Sequence, residues 1–289
     1  MPVINENKAE TKEVTLTCPC LDAALTLDCG QAFRWAQQPD GGWHGVAYGR
    51  PLTVYQNGET LIFRGADEAV FEAIWRRYFD LDRDYSAVCE RLKADEYMRA
   101  AVTEFPGIRI LRQEPWEALC SFIISQNNNI PRIKGIIDRL CRLLGEPLGG
   151  EDYAFPTPEA VAAAGVEGLA PIRAGFRAKY IIDAAQKVSR GEIDFDRIAA
   201  EGLDYGREEL IKIKGVGAKV AECTLLYGFG KVDAFPVDVW VRRIMQELYP
   251  NGLPECAEGV RGIAQQYLFH YARCCPQILE APEKEAALV

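Results

Sequence analysis

The feature that most constrains the fold is a change of hydrophobic period at Asp67. Upstream, from Glu13, short runs alternate apolar and polar residues: EVTLTC, AFRWAQ, WHGVAY, PLTVYQ and TLIFRG. A period of two turns one face of a strand toward a core. The runs are separated by Pro39-Asp40-Gly41-Gly42, Gly49-Arg50-Pro51 and Asn57-Gly58, of which the last is the strongest hairpin signal. Together they predict a meandering antiparallel sheet. From Asp67 onward Val70, Ile74, Tyr78 and Leu81 fall on one helical stripe, and helical patterns then continue almost to the end. They include 84–93, 95–104, 114–126, 131–143, 158–163, 167–172, 175–190, 206–213, 218–229, 238–248 and 256–275. Residues 1 to about 12 read as a polar lead-in and 277–289 as a frayed tail. The expected fold class is α+β, an N-terminal antiparallel sheet packed on an all-helical body. The expected domains are 1–112, the sheet with the helices that follow it, and 113–289, the helical remainder.

Composition removes several classes of function. A chain of 289 residues, 48% hydrophobic and 26% charged, has the make-up of a soluble globular protein. No window approaches a membrane span, and MPVINENKAETKE lacks the basic-then-apolar order of a signal peptide, so a cytoplasmic setting and no membrane partner are expected. Among the ten cysteines, Cys120, Cys141 and Cys223 lie inside apolar helical patterns, where a thiol serves as a small hydrophobe. Cys18 and Cys20, Cys256, and the adjacent Cys274 and Cys275 have neither zinc-ribbon nor iron-sulfur spacing, and His44 and His270 are the only histidines. No cofactor and no metal-cysteine site are expected. The net charge of −9 disfavours nucleic-acid binding by bulk attraction, yet basic residues gather at Arg132 to Lys134, Arg173 to Lys179, Lys212 to Lys219 and Arg242-Arg243. At contact range local sign outweighs the sum.

The chemistry concentrates between Leu210 and Met245. Gly215-Val216-Gly217 between two helical patterns predicts a tight helix-hairpin-helix turn. Two glycines would allow positive φ and a close approach, and the freed amides of the second helix would suit a phosphate. A bare Gly-x-Gly is more often an ordinary helix-helix turn. Lys219 sits in the first turn of that helix, where the dipole opposes a cation, which marks it as a candidate nucleophile. Cys223 is four residues on, hence on the same face. Asp238, after Phe235-Pro236-Val237, stands where an N-cap belongs. Two loops add candidates: Asn127-Asn128-Asn129 before Pro131, and Arg173-Ala174-Gly175-Phe176-Arg177-Ala178-Lys179.

Taken together, these residues resemble the helix-hairpin-helix superfamily of base-excision glycosylases, and within it the 8-oxoguanine DNA glycosylases with lyase activity. The resemblance runs from Asp28-Cys29-Gly30-Gln31-Ala32-Phe33-Arg34-Trp35 to Gln265 and Phe269. Its specific part is Gly215-Val216-Gly217-Ala218-Lys219-Val220-Ala221 with Pro236-Val237-Asp238-Val239. It implies a helical body in two parts divided by a DNA-binding cleft, a monomeric enzyme, and double-stranded DNA containing an oxidised purine as partner.

The resemblance also implies roles. Lys219 is the nucleophile and Asp238 its electrostatic partner. Asn127 fills the space the flipped base vacates, Arg132 and Arg177 meet the orphaned cytosine, and Phe176 is the wedge beside it. Gly30 presents its carbonyl to N7–H of the oxidised base, Gln265 bonds the pairing edge, and the base lies between Phe269 and the Cys223 side. Gly215, Val216 and Gly217 grip a phosphate, and the carbonyls of Ile211, Ile213 and Val216 can hold a monovalent cation. Trp240 stands where eukaryotic members carry a histidine near a phosphate, and Phe176 replaces a tyrosine. Two other readings stay open: a relative acting on another damaged or mispaired base, and a non-catalytic helix-hairpin-helix module that only grips DNA.

Overall fold

The computed structural model describes residues 12–279; the expected lead-in at 1–11 and the tail beyond 279 lie outside the described residues. Five strands, β1 (Glu13–Thr17), β2 (Trp35–Gln37), β3 (Trp43–Ala47), β4 (Arg50–Asn57) and β5 (Thr60–Arg64), pair antiparallel in the order β1-β5-β4-β3-β2. The hairpin expected at Asn57-Gly58 joins β4 to β5, with Gly58 at φ 58. Alternation buries Val14, Leu52, Val54, Leu61 and Phe63 on one face. A short helix absent from the periodicity, α1 (Ala23–Asp28), interrupts the strands; its six residues are too few to show a period, and Asp22 caps it.

After the sheet come α2 (Glu68–Val70) and α3 (Arg76–Tyr78), joined by a wide π turn at Phe71–Trp75. The expected stripe is displaced here. Phe71, Trp75, Tyr78 and Phe79 are fully buried against the sheet, whereas Val70, Ile74 and Leu81 only flank that core. The wider turn changes the angular spacing, and the four aromatics offer far more area to bury.

The helical body comprises α4 (Tyr85–Leu92), α5 (Glu96–Glu104), α6 (Pro115–Ser125), α7 (Ile130–Leu144), α8 (Pro158–Gly168), α9 (Ala178–Ser189), α10 (Phe195–Ala200), α11 (Leu203–Leu210), α12 (Ala218–Tyr227), α13 (Val239–Glu247) and α14 (Arg261–Cys274). A hairpin the sequence did not reveal, β6 (Pro147–Gly149) with β7 (Asp152–Tyr153), lies between α7 and α8. Gly165, at φ 64, kinks α8, and a 3-10 turn at Gly175–Arg177 precedes α9 in place of one continuous helix from 175. A second, larger core forms around α6 and α12, and Tyr85, Leu92, Met98 and Ala101 join it rather than the core of the sheet. Nothing in α6 but its ends reaches solvent: residues from Trp116 to Ile124 are buried, so its C-terminus is held firmly under the chemistry described next.

Candidate active site

At the hairpin the two glycines play different parts. Gly215 has φ 81, and a Cβ there would meet the Tyr180 ring at 2.4 Å, so both conformation and space demand glycine. Gly217, by contrast, has φ −100 and open space around it; it is the N-cap of α12, and the expectation of two positive-φ glycines is corrected to one. Val216 is buried, its side chain part of the larger core. Among the described residues no chain donor reaches the carbonyls of Ile211 or Val216, while that of Ile213 accepts Val216 N–H.

Lys219 occupies the first turn of α12. Its Nζ donates to Ser125 Oγ at 3.1 Å and lies 5.1 Å above the Phe122 ring, both on α6. Asp238 is the N-cap of α13, its Oδ1 accepting Val241 N–H at 2.9 Å. Lys219 and Asp238 line one cleft of about 560 Å³ together with Gly30, Ser125, Asn127, Arg242 and Phe269. Cys223 is buried behind the lysine. Burial pushes its thiol up to about 11 against the lowering effect of the Lys219 charge, so it stays protonated at neutral pH.

An inner pocket of about 50 Å³ opens from this cleft, bounded by Gly30, Lys219, Cys223, Asp238, Gln265 and Phe269. Segments remote in sequence thus converge as expected. Gln265 is buried, and its amide oxygen has no donor among the described residues, an expensive condition that a hydrogen-bonding ligand would relieve. Gly30 has φ 88, and a Cβ would project toward the Phe269 ring at 3.7 Å. What aims Gly30 is its neighbours. Gln31 donates to the carbonyls of Thr26 and Arg109 and accepts Leu111 N–H, while Gln266 donates to the Cys29 carbonyl at 3.3 Å.

The three asparagines have separate tasks. Asn128 Nδ2 donates to the Ile124 carbonyl at the end of α6, and Asn129 caps α7 by accepting Arg132 N–H. Asn127 is left exposed, with a left-handed φ of 46. Phe176 is 48% exposed, as an inserting ring requires. Arg132 is exposed, but Arg177 is not where a base-reading fork was expected. It is buried and donates to the carbonyls of Gln126, Asn127 and Ala174. Burial and the nearby Arg132 charge hold its pKa below the ordinary value, so the two arginines do converge. Its bonds shape the Asn127 loop, since a fork with five donors can tie several carbonyls.

Two kinds of residue escaped the sequence. Ser125 and Phe122 sit in a run that reads as pure core, and only the end of a buried helix brings them to Lys219. Arg273 is exposed on α14 at the mouth of the cleft, its guanidinium 5.3 Å from the Phe269 ring centre. The one available signal was its position four residues after Phe269. Lys219, Arg242 and Arg273 against the single carboxylate Asp238 give the cleft a positive sign within an acidic chain. Among the described residues no three His, Cys, Asp or Glu side chains cluster as metal ligands, and no helix is long and apolar enough to cross a membrane.

Comparison with known proteins agrees with this geometry. Residues 14–119 match the family profile described as 8-oxoguanine DNA glycosylase, N-terminal domain, and residues 120–257 that of the HhH-GPD superfamily base excision DNA repair protein. A probable N-glycosylase/DNA lyase of Methanothermobacter thermautotrophicus is 32% identical over 237 residues, covering 70% of this chain and 73% of the relative. The N-glycosylase/DNA lyase of Saccharomyces cerevisiae is 36% identical over 188 residues, 60% of this chain and 50% of the yeast protein. The Clostridium acetobutylicum 8-oxoguanine glycosylase/lyase, solved with double-stranded DNA containing cytosine opposite 8-oxoG, superposes with a TM-score of 0.85 at 37% identity, covering 91% of this chain and 95% of that one. The five-stranded sheet, the helical body and the hairpin carrying Lys219 are therefore those of a known lineage, and the chain belongs to the 8-oxoguanine DNA glycosylase/lyase family of the helix-hairpin-helix base-excision superfamily.

Proposed function

We propose that this protein removes 8-oxoguanine paired with cytosine from double-stranded DNA and then cuts the abasic strand, acting as a monomer in the cytoplasm, or at the nucleoid in a bacterium. The observation that carries this reading is the junction of Lys219 and Asp238 with the inner pocket whose buried Gln265 oxygen lacks a donor. The Lys219 amine attacks C1′, the glycosidic bond breaks, its electron pair leaves with the base, and the proton shed by the attacking nitrogen passes to that base. Positive charge develops on the sugar as that bond lengthens, and the Asp238 carboxylate stabilises it. The sugar ring opens to a Schiff base on Lys219. Loss of a C2′ proton then expels the 3′ phosphate, and water releases the lysine.

Selection falls to other residues. Guanine has a lone pair at N7 where its oxidised form has N–H, so the Gly30 carbonyl attracts one and repels the other. Gln265 bonds the pairing edge and the Phe269 face stacks on the ring. A pocket of about 50 Å³ does not hold a purine, so Phe269 moves as the base enters. Asn127 fills the gap in the stack, Phe176 wedges beside it, and Arg132 meets the orphaned cytosine while the buried Arg177 holds the Asn127 loop from behind. The amides at Gly215 and Gly217 face a phosphate, with Val216 N–H closing the turn on the Ile213 carbonyl, and the undonated carbonyls of Ile211 and Val216, with that of Ile213, would hold a monovalent cation.

The test is incubation with duplexes holding 8-oxoguanine opposite each of the four bases, in the presence of borohydride. A covalent adduct forms, most strongly opposite cytosine; an adduct only with another lesion, or DNA binding without any adduct, overturns the reading. Arginine substitutions refine it. Arg132→Ala is expected to reduce the preference for cytosine roughly tenfold or more with the fold unchanged, as loss of a bidentate base contact does. Arg177→Ala instead weakens binding of DNA with an abasic analogue, because the Asn127 loop loses its ties. Equal preference in wild type and Arg132→Ala would remove that residue from recognition.

A further inference from the structure

One buried carboxylate is not used by the mechanism above. Glu222 lies on α12, three residues after Lys219, and is 8% exposed. Its Oε1 accepts from Arg207 Nε on α11, and its Oε2 accepts the backbone N–H of Phe235 at 2.7 Å. Phe235 belongs to the strap that leaves α12 and ends at Asp238. The earlier part of that strap is secured by Lys231 N–H to the Leu225 carbonyl, by Gly262 N–H to the Val232 carbonyl, and by Arg261 with Asp233. Beyond Phe235, Pro236 has no N–H, and Val237 makes no hydrogen bond among the described residues. The bond to Glu222 is thus the last tether before the carboxylate that serves the reaction.

We propose that Glu222 is a positioning residue: by holding the Phe235 amide from the helix that carries Lys219, with its charge balanced by Arg207, it sets the placement of Asp238 relative to Lys219. One short side chain joins α11, α12 and the strap. Alternative roles explain less. A carboxylate kept only for helix stability belongs on an exposed face, and burial is costly unless both oxygens are satisfied, as they are here. The inference rests on the assignment of Lys219 and Asp238 to the reaction.

The experiment compares Glu222→Leu, Glu222→Gln and Lys219→Gln in the full chain. It measures single-turnover excision at saturating 8-oxoguanine DNA, affinity for a duplex with a tetrahydrofuran abasic analogue, and thermal melting. Gln keeps an oxygen of the right reach for Phe235 N–H; Leu keeps only bulk. Glu222→Leu is expected to slow excision about 100-fold, the scale of a misplacement near 1 Å, with affinity within about twofold. Glu222→Gln recovers most of that rate, to within about fivefold of wild type. The inference is overturned by wild-type excision in Glu222→Leu, by Gln and Leu variants that are equally slow, or by rate and affinity falling together. Should Glu222→Leu not fold, a Glu222→Gln variant slowed as much as Lys219→Gln overturns it as well. Excision that survives in Lys219→Gln instead overturns the assignment of the nucleophile.

Discussion

Lys219→Gln is expected to abolish the borohydride-trapped adduct and to lower excision of 8-oxoguanine by roughly 10³-fold or more, the scale seen when a nucleophile is removed. The substitution isolates chemistry from structure. Lys219 is partly buried, and its amine donates to Ser125 Oγ at 3.1 Å, a polar contact toward which the one-bond-shorter Gln amide still points. What vanishes is the basic amine, since an amide nitrogen has no available lone pair. Binding to DNA with an abasic analogue should change little, because one contact among many phosphate contacts is lost. An adduct of undiminished yield in this variant would show that another amine attacks the sugar. Cys223 offers no substitute: its thiol, pushed up to about 11 by burial, is neutral at the pH of the assay.

Asp238→Asn carries the second large effect. Asp238 both caps α13 and lines the cleft, so a simple deletion would confuse helix stability with catalysis. Asn caps a helix about as well as Asp, whereas Ala costs about 1 kcal/mol there. The Asn variant should therefore melt near the wild type and still lose about 10²- to 10³-fold in excision, the range for removing one electrostatic element from a transition state. Asp238→Ala should match that loss in rate and add a measurable drop in stability. If Asp238→Asn excised as fast as wild type, the carboxylate would be a cap and nothing more.

Much of this was visible in the sequence because the relevant signals are local. Alternation located all five strands, and the cap position of Asp238 and the first-turn position of Lys219 follow from short stretches of chain. The hairpin glycines were read less well, since the need for Gly215 arises from Tyr180, a ring that only tertiary packing brings within 2.4 Å of its Cβ position. The same holds for Ser125 and Phe122, which local pattern cannot separate from their buried neighbours. Arg177 shows the limit of residue type: a guanidinium that could face a base instead spends its donors on the carbonyls of Gln126, Asn127 and Ala174. The π turn displaced the helical stripe for a further reason, that a fixed period of 3.6 cannot anticipate a local widening.

The link from Gln266 to the Cys29 carbonyl has a consequence for how the enzyme would fail. It ties the loop bearing Gly30, on the sheet side, to the helix that carries Gln265 and Phe269, at 3.3 Å and in a buried setting. Neither Lys219 nor Asp238 bonds to Gln266, whose amide oxygen accepts instead from Tyr227 at the far end of the helix that carries Lys219. If Gly30 and Gln265 select the base as proposed, damage to the junction would leave a protein that still cuts, but with less judgement about what it cuts. Its cellular signature would be attack on sound guanines, a gain in breaks rather than a loss of repair, and a screen that scores only residual activity on oxidised DNA would pass it as healthy.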